Sequence, residues 1–229
     1  MDRSGGWPSS ASELRRRQLE LGQVGFEPWS PPPRPYRIGG CFACFGRGIA
    51  GRGWAGERGW AAAAVAVGSR VVGRAVVPAV AGASYERGLL ALREGPALEA
   101  AVLGLPLPPA VLLVDATGRD HPRRAGLALE LGAVIGVPSV GVTHRPLVGE
   151  GSWPEARAGA RSPVVIGDEV VACWLRTLKR ARPLVVHPGW RTDLEVACAV
   201  VLAATGRVRT PEPLREARRL ARVARAVGG

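Results

Sequence analysis

The sequence predicts an α/β layered domain that opens with a three-stranded antiparallel meander and continues with alternating helices and buried strands. Three observations carry this expectation. Between Tyr36 and Val77, three apolar stretches are separated by glycine-bearing links. From Ser84 the apolar period changes to helical spacing, with Leu89, Leu92 and Leu98 in step. The runs "AVLLVDA" and "PSVGVTH" are short and continuously apolar, the mark of strands buried on both faces.

The elements follow in order. Residues 1–35 read as a peripheral segment. "ASELRRRQLEL" forms a short helix capped by Ser12, and "EPWSPPPRP" is a stiff proline-rich linker. Residues 36–227 read as a single domain. Tyr36–Phe45 is the first core strand, and "GRGIAGRGWAGERG" is a glycine-rich connection. Gly59–Gly68 and Arg70–Val77 complete the meander. "SYERGLLALREGPALEAAVLGL" is helical, with Pro96 expected to kink or split it. "HPRRAGLALELGAVIG" is expected as a helix with Pro122 in its first turn. "VVIGDEVVACWLRT" reads as a hairpin turning at Gly167-Asp168, and "RPLVVHPG" as a strand. "DLEVACAVVLAATG" is a helix ended by Gly206, and "EPLREARRLARVARAV" is a basic terminal helix.

Composition narrows the function classes. The 229 residues are 47% hydrophobic, ample for a core, and no stretch gives eighteen uninterrupted apolar residues. No membrane span is expected. The N-terminus lacks a basic-then-apolar signal pattern, which points to the cytoplasm. The formal net charge is +12, nearly all of it arginine, with Lys179 the sole lysine. Such a charge suggests a polyanionic partner, most often nucleic acid. G+C-rich coding is the competing explanation; it accounts for arginine over lysine but not for the shortage of acids. Cys41 and Cys44 have CxxC spacing but fall on one strand, where residues three apart face opposite ways. With no second such pair, they read as buried thiols rather than a zinc or redox site.

The stretch "VLLVDATGRDHPRRAG" is the chemical focus. A buried strand ends in Asp115, where α/β sheets build ligand sites, and a polar, basic cluster follows. Metal-dependent phosphodiester hydrolysis needs convergent carboxylates, because Mg²⁺ prefers oxygen ligands. Glu94 on the first long helix and Glu195 at the start of a later one are the other acids placed to join Asp115.

At these residues the chain resembles the endonuclease V family. The order "SYERGLLALREGPALEAA", "LLVDATGRDHPRRAGLALELGAVIGVPSVGVTHRPLVG", "PLVVHPGWRTDLEVACAVV" and "TPEPLREARRLA" is similar to the family pattern from Leu14 to Ala224. The resemblance implies a ribonuclease-H-like mixed sheet with helices on both faces. It also implies cleavage of DNA, or RNA in some members, near inosine with Mg²⁺ (or Mn²⁺), by a protein expected to be monomeric. Glu94 and Asp115 match the family's metal-binding acids. Tyr85 matches the tyrosine of its wedge beside the lesion. His121, Arg123 and Arg124 match the family's segment after the central Asp, and with Arg191 they are candidate nucleic-acid contacts.

Several positions depart from the pattern. The first-strand Asp falls at Phe42, the catalytic Lys at His144, a late His at Trp190 and the Asp after it at Glu195. His144 and Glu195 remain candidate catalytic groups, and Asp120 and His187 are further candidates to complete a metal site. Phe42 should share a strand face with Cys44 and stand beside Asp115, while Asp115 and Glu94 should approach each other across a cleft. Restoring an acid at Phe42 is expected to strengthen metal binding. Two functions follow: a metal-dependent endonuclease, or an inactive homologue that binds nucleic acid or a protein partner.

Overall fold

The computed structural model describes residues 6–46 and 53–228. Its eight-stranded mixed sheet has the order β3-β2-β1-β4-β5-β8-β7-β6. The strands are β1 (Arg37–Phe45), β2 (Arg58–Val67), β3 (Arg70–Val80), β4 (Val111–Val114), β5 (Ser139–Thr143), β6 (Arg161–Ile166), β7 (Glu169–Leu175) and β8 (Leu184–Pro188). The helices are α1 (Ala11–Gln23), α2 (Leu90–Leu103), α3 (Leu127–Ile135), α4 (Leu194–Ala203) and α5 (Glu212–Gly228). β1, β2 and β3 form the expected antiparallel meander, with Phe42 opposite Ala62. β4 and β5 extend it in parallel, and β8, β7 and β6 follow antiparallel. The glycine-rich connection expected after β1 lies partly outside the described residues.

Helices cover both faces. On one, Leu14 of α1, Leu98 and Ala101 of α2 and Leu127 and Leu131 of α3 pack on Cys41, Ala61 and Ala63 of the sheet. On the other, α4 and Leu214 of α5 pack on Ile38, Leu113 and Val142. The alternation of side chains along each strand produces these two cores. The run Ala61–Ala64 in β2 is fully buried, and its small side chains let helices approach closely. Gly40 is required for the same reason: a Cβ there would lie 2.5 Å from the backbone of Pro213 and Leu214. The start of α5 therefore rests directly on β1, which brings α5 over the C-terminal ends of β1 and β4.

Several local expectations change. The cap of α1 is Ser10, whose side chain accepts from Glu13 N–H, and Ser12 lies inside the helix. The helix is anchored on the sheet-side core through Leu14, which is fully buried. α2 begins at Leu90 rather than Ser84, and Pro96 lies within it without splitting it. α3 begins only at Leu127, so Pro122, Arg123 and Arg124 are outside it. The reason is the backbone at Arg124, whose φ of 57° is left-handed and cannot continue a right-handed helix. α4 is capped at Ala204, before Gly206. The β6–β7 turn falls at Gly167-Asp168 as expected, with Gly167 at φ 60°.

Candidate functional site

β4 ends at Val114 and delivers Asp115 to the C-terminal edge of the sheet. Glu94, one turn into α2, faces the same space. Asp115 and Glu94 line a cavity of about 170 Å³ together with Cys41, Phe42, Tyr85 and Leu90. Burial first, and then the charge of Asp115, push the Glu94 carboxyl up to about 8, with Arg93 opposing. Glu94 is therefore mostly a neutral acid at pH 7. Burial and the same two carboxyls also push up the Cys41 thiol. α2 is held in place by its neighbour: the buried Arg93 pairs with Glu57 and donates to the carbonyls of Trp54 (3.0 Å) and Ala83 (2.9 Å).

Asp115 is already engaged. Arg218 of α5 donates from Nε to Oδ2 at 2.9 Å and from Nη2 to Oδ1 at 2.8 Å. This two-point contact uses both carboxylate oxygens, and the side chains are only 13% and 20% exposed. Phe42 stands on the α5 face with Cys44, packed against Leu220 and Ala221. Arg218 and Arg222 lie over its ring, at 5.9 and 5.6 Å from the centroid. The cavity thus presents one carboxylate held by a guanidinium, the buried Glu94 carboxyl and a phenyl ring. Among the described residues, no group of three or more His, Cys, Asp or Glu can hold a metal ion. A divalent cation wants several free oxygens; with both oxygens of Asp115 held by Arg218 and a phenyl ring at Phe42, the residues here do not fit Mg²⁺ or Mn²⁺.

Beside this cavity lies a larger pocket of about 620 Å³, and Asp115, Tyr85 and Leu90 line both. Its walls include Gly88, Thr117, His121, Thr143 and His144. Tyr85 is 44% exposed at the boundary, its ring available to a ligand. His121 is buried: its Nε2 lies 3.0 Å from the Gly88 carbonyl and its Nδ1 accepts from Arg123 N–H. That pairing places the ring proton on Nε2, and burial pulls the group down to about 4, so His121 is neutral at pH 7. Asp120 is fully buried and accepts the N–H groups of Leu147 (2.6 Å), Val148 (3.0 Å) and Gly149 (2.7 Å). It pins the loop after β5 that carries His144, Pro146 and Leu147 into the pocket wall.

The sequence model of endonuclease V matches residues 49–219. The chain belongs to the endonuclease V family. The endonuclease V of Streptomyces avermitilis is 37% identical over 222 residues, covering 95% of this chain and 93% of that protein. The crystal structure of the Streptomyces avermitilis endonuclease V superposes with a TM-score of 0.86 at 36% identity, covering 97% of this chain and 96% of that one. Human endonuclease V superposes at 0.80 with 27% identity, covering 96% and 99%. The mixed α/β sheet is accordingly ribonuclease-H-like. β1, which carries Phe42, ends before the matched span begins.

Measured against the endonuclease V pattern, the structure brings together Glu94, Asp115, Phe42, Tyr85, His121 and His144. It leaves others out. Glu195 is 81% exposed and paired with Arg161, away from the cavity. His187 is buried, with Nε2 at 2.8 Å from Thr143 Oγ1 and Nδ1 at 3.9 Å from Asp120; burial lowers it to about 4. Asp120 serves backbone N–H groups rather than a metal. Arg123 donates to Gln18 (2.7 Å) and Gly88 (3.0 Å), and Arg124 to Glu169 (2.8 Å), so both hold the fold. Arg191 lies near Glu27, outside both cavities, and Trp190 packs on Phe26 with ring centroids 5.0 Å apart. The residue that sequence reasoning missed is Arg218, which it left within the basic terminal helix with no role beside Asp115. The signal was present: Arg218 follows Leu214 by four residues and precedes Ala221 by three, so it borders the buried face of α5.

Proposed function

We propose that this protein binds single-stranded or locally opened nucleic acid, holding one base in the 620 Å³ pocket, without metal-dependent cleavage of the strand. The observation that carries this reading is the Arg218–Asp115 contact. It places a fixed organic cation beside the carboxylate where a nuclease of this family is expected to hold a divalent one. A guanidinium compensates the carboxylate charge, but it neither polarises a phosphate as a metal does nor lowers the pKa of a water.

The pocket suits a base. Tyr85 offers an aromatic face, and such stacking is worth about 1–3 kcal/mol per base. Thr117, which lines the pocket, carries a hydroxyl able to meet a base edge. The endonuclease V resemblance makes hypoxanthine, the base of inosine, the first base to test. The formal charge of +12 supplies attraction for the backbone of DNA or RNA.

The test is fluorescence anisotropy with labelled single-inosine DNA and RNA strands, and adenine controls, in EDTA. Binding in the chelator, tighter for inosine and weakened in Tyr85→Ala, supports the reading. Absence of binding at low salt overturns it.

A further inference from the structure

We propose that Arg209, Arg218 and Arg222, with His144, form a phosphate-binding site beside the base pocket that takes the phosphodiester of the bound strand directly, with no metal between. The inference rests on the proposed nucleic-acid binding and adds the site that holds the backbone.

Charge accounting on α5 separates two sets of arginines. Arg215 and Arg219 are compensated within their own helix, by Glu212 (Arg215) and by Glu216 at 2.8 Å (Arg219). Arg218 and Arg222, four residues apart and hence on one face, turn instead to Phe42. Arg209 arrives from the loop before α5. Its position is built: the buried Thr177 donates from its hydroxyl to the Arg209 carbonyl at 2.9 Å. The guanidinium of Arg209 then donates from Nη2 to His144 Nδ1 at 3.1 Å.

These groups sense one another's charge. Burial, then Arg218, then Arg182 lower the Arg209 guanidinium. Burial, then Arg218, then Arg209 lower His144, with Asp115 opposing. Among the described residues Asp115 is the one carboxylate paired into this cluster, and Arg218 already neutralises it. No carboxylate pairs with Arg209 or Arg222 among the described residues. The cluster therefore carries net positive charge that the fold does not compensate.

His144 adds a donor rather than a charge. Because Arg209 donates to Nδ1, the ring proton sits on Nε2, where it can be given to a phosphate oxygen. His144, Thr143, Arg145 and Asp115 line the base pocket as well. A strand with one base in that pocket must pass its adjacent phosphate close to this cluster, since base and phosphate belong to the same nucleotide. Guanidinium groups grip phosphate oxygens in two-point fashion, which suits them to this role.

The experiment measures binding of the full chain in EDTA to three labelled inosine strands. One is unmodified, one carries a neutral methylphosphonate at the linkages flanking the inosine, and one carries it at remote linkages. Wild type, Arg209→Gln/Arg222→Gln and Arg209→Lys/Arg222→Lys are compared across a salt series. The proposal expects the flanking methylphosphonate to weaken wild-type binding about tenfold more than the remote one. It expects the Gln variant to bind all sequences about tenfold more weakly, with the salt slope smaller by about one per lost contact. The Lys variant should recover most of the loss. Equal effects of flanking and remote methylphosphonates, or an unchanged salt slope in the Gln variant, overturn the site. Failure of the base-pocket reading looks different: wild type would show no preference for the unmodified inosine strand over the adenine control, while the arginine effect persisted.

Discussion

Arg218 reaches across from α5 to grip both oxygens of Asp115, at 2.9 and 2.8 Å, at the end of the central strand β4. One consequence is a stability contribution. Arg218→Ala removes the guanidinium that holds both oxygens of the partly buried Asp115. Fully buried pairs lose about 3–5 kcal/mol when one partner is removed; these side chains keep some solvent, so about 1–3 kcal/mol is expected. Urea unfolding of Arg218→Ala checks this, and the double change with Asp115→Asn should recover part of the loss.

The same contact revises what an acid at Phe42 would do. Arg218 and Arg222 stand 5.9 and 5.6 Å from the Phe42 ring. A carboxylate introduced there by Phe42→Asp meets two guanidinium groups before it meets a metal. The single substitution should leave Mn²⁺ binding undetectable by titration calorimetry. Phe42→Asp combined with Arg218→Ala and Arg222→Ala removes both guanidinium groups and should gain Mn²⁺ binding. Binding of equal strength in the single and triple variants would contradict this ordering.

Glu94 makes stability depend on pH. Its folded value of about 8 exceeds the ordinary 4.5, so the folded state holds its proton more tightly than the unfolded state. The stabilisation is full below about 4.5 and is lost as pH rises through 8. In that window the slope contributed is at most about 1.4 kcal/mol per pH unit. The difference between wild type and Glu94→Gln, followed by chemical unfolding from pH 5 to 9, isolates this contribution. The wild type should lose stability relative to the variant as pH rises. Glu130 on α3, pushed up to about 7 by burial, is common to both proteins and cancels.

Asp120 governs the loop that closes the base pocket. Asp120→Ala leaves three N–H groups of residues 147–149 without their acceptor. Each unsatisfied buried donor costs about 1–3 kcal/mol, although a loop that opens to water recovers part of it. Faster amide exchange at Leu147, Val148 and Gly149, together with weaker inosine binding, is the expected result. Unchanged exchange there would show that the loop is held by other contacts.

Much of the architecture was legible in the chain because its signals are local. The period-two and continuous apolar runs placed the strands around Phe42 and Asp115, and the glycine-bearing links gave the antiparallel meander. The reading erred where a non-local contact decides. Arg124 was placed in a helix because the text before Leu127 reads as helical; its left-handed backbone ends that option. Glu195 looked like a site acid by its position at a helix start, yet Arg161 holds it elsewhere. Arg218 was read only as one cation of a basic terminal helix, and only the close seating of α5 on Gly40 reveals that it reaches Asp115. Asp115, Glu94 and Phe42 line one cavity because β1 and β4 are neighbours in the sheet and α2 packs across them.

The most direct test of the account is cleavage of a labelled single-inosine strand by excess protein, with Mg²⁺, Mn²⁺ or EDTA, beside a binding measurement on the same strand. The account predicts that the strand is bound and remains intact under all three conditions, because Arg218 occupies Asp115 and Phe42 offers no oxygen. Metal-dependent cutting by the unaltered protein that is abolished in Asp115→Asn would contradict it.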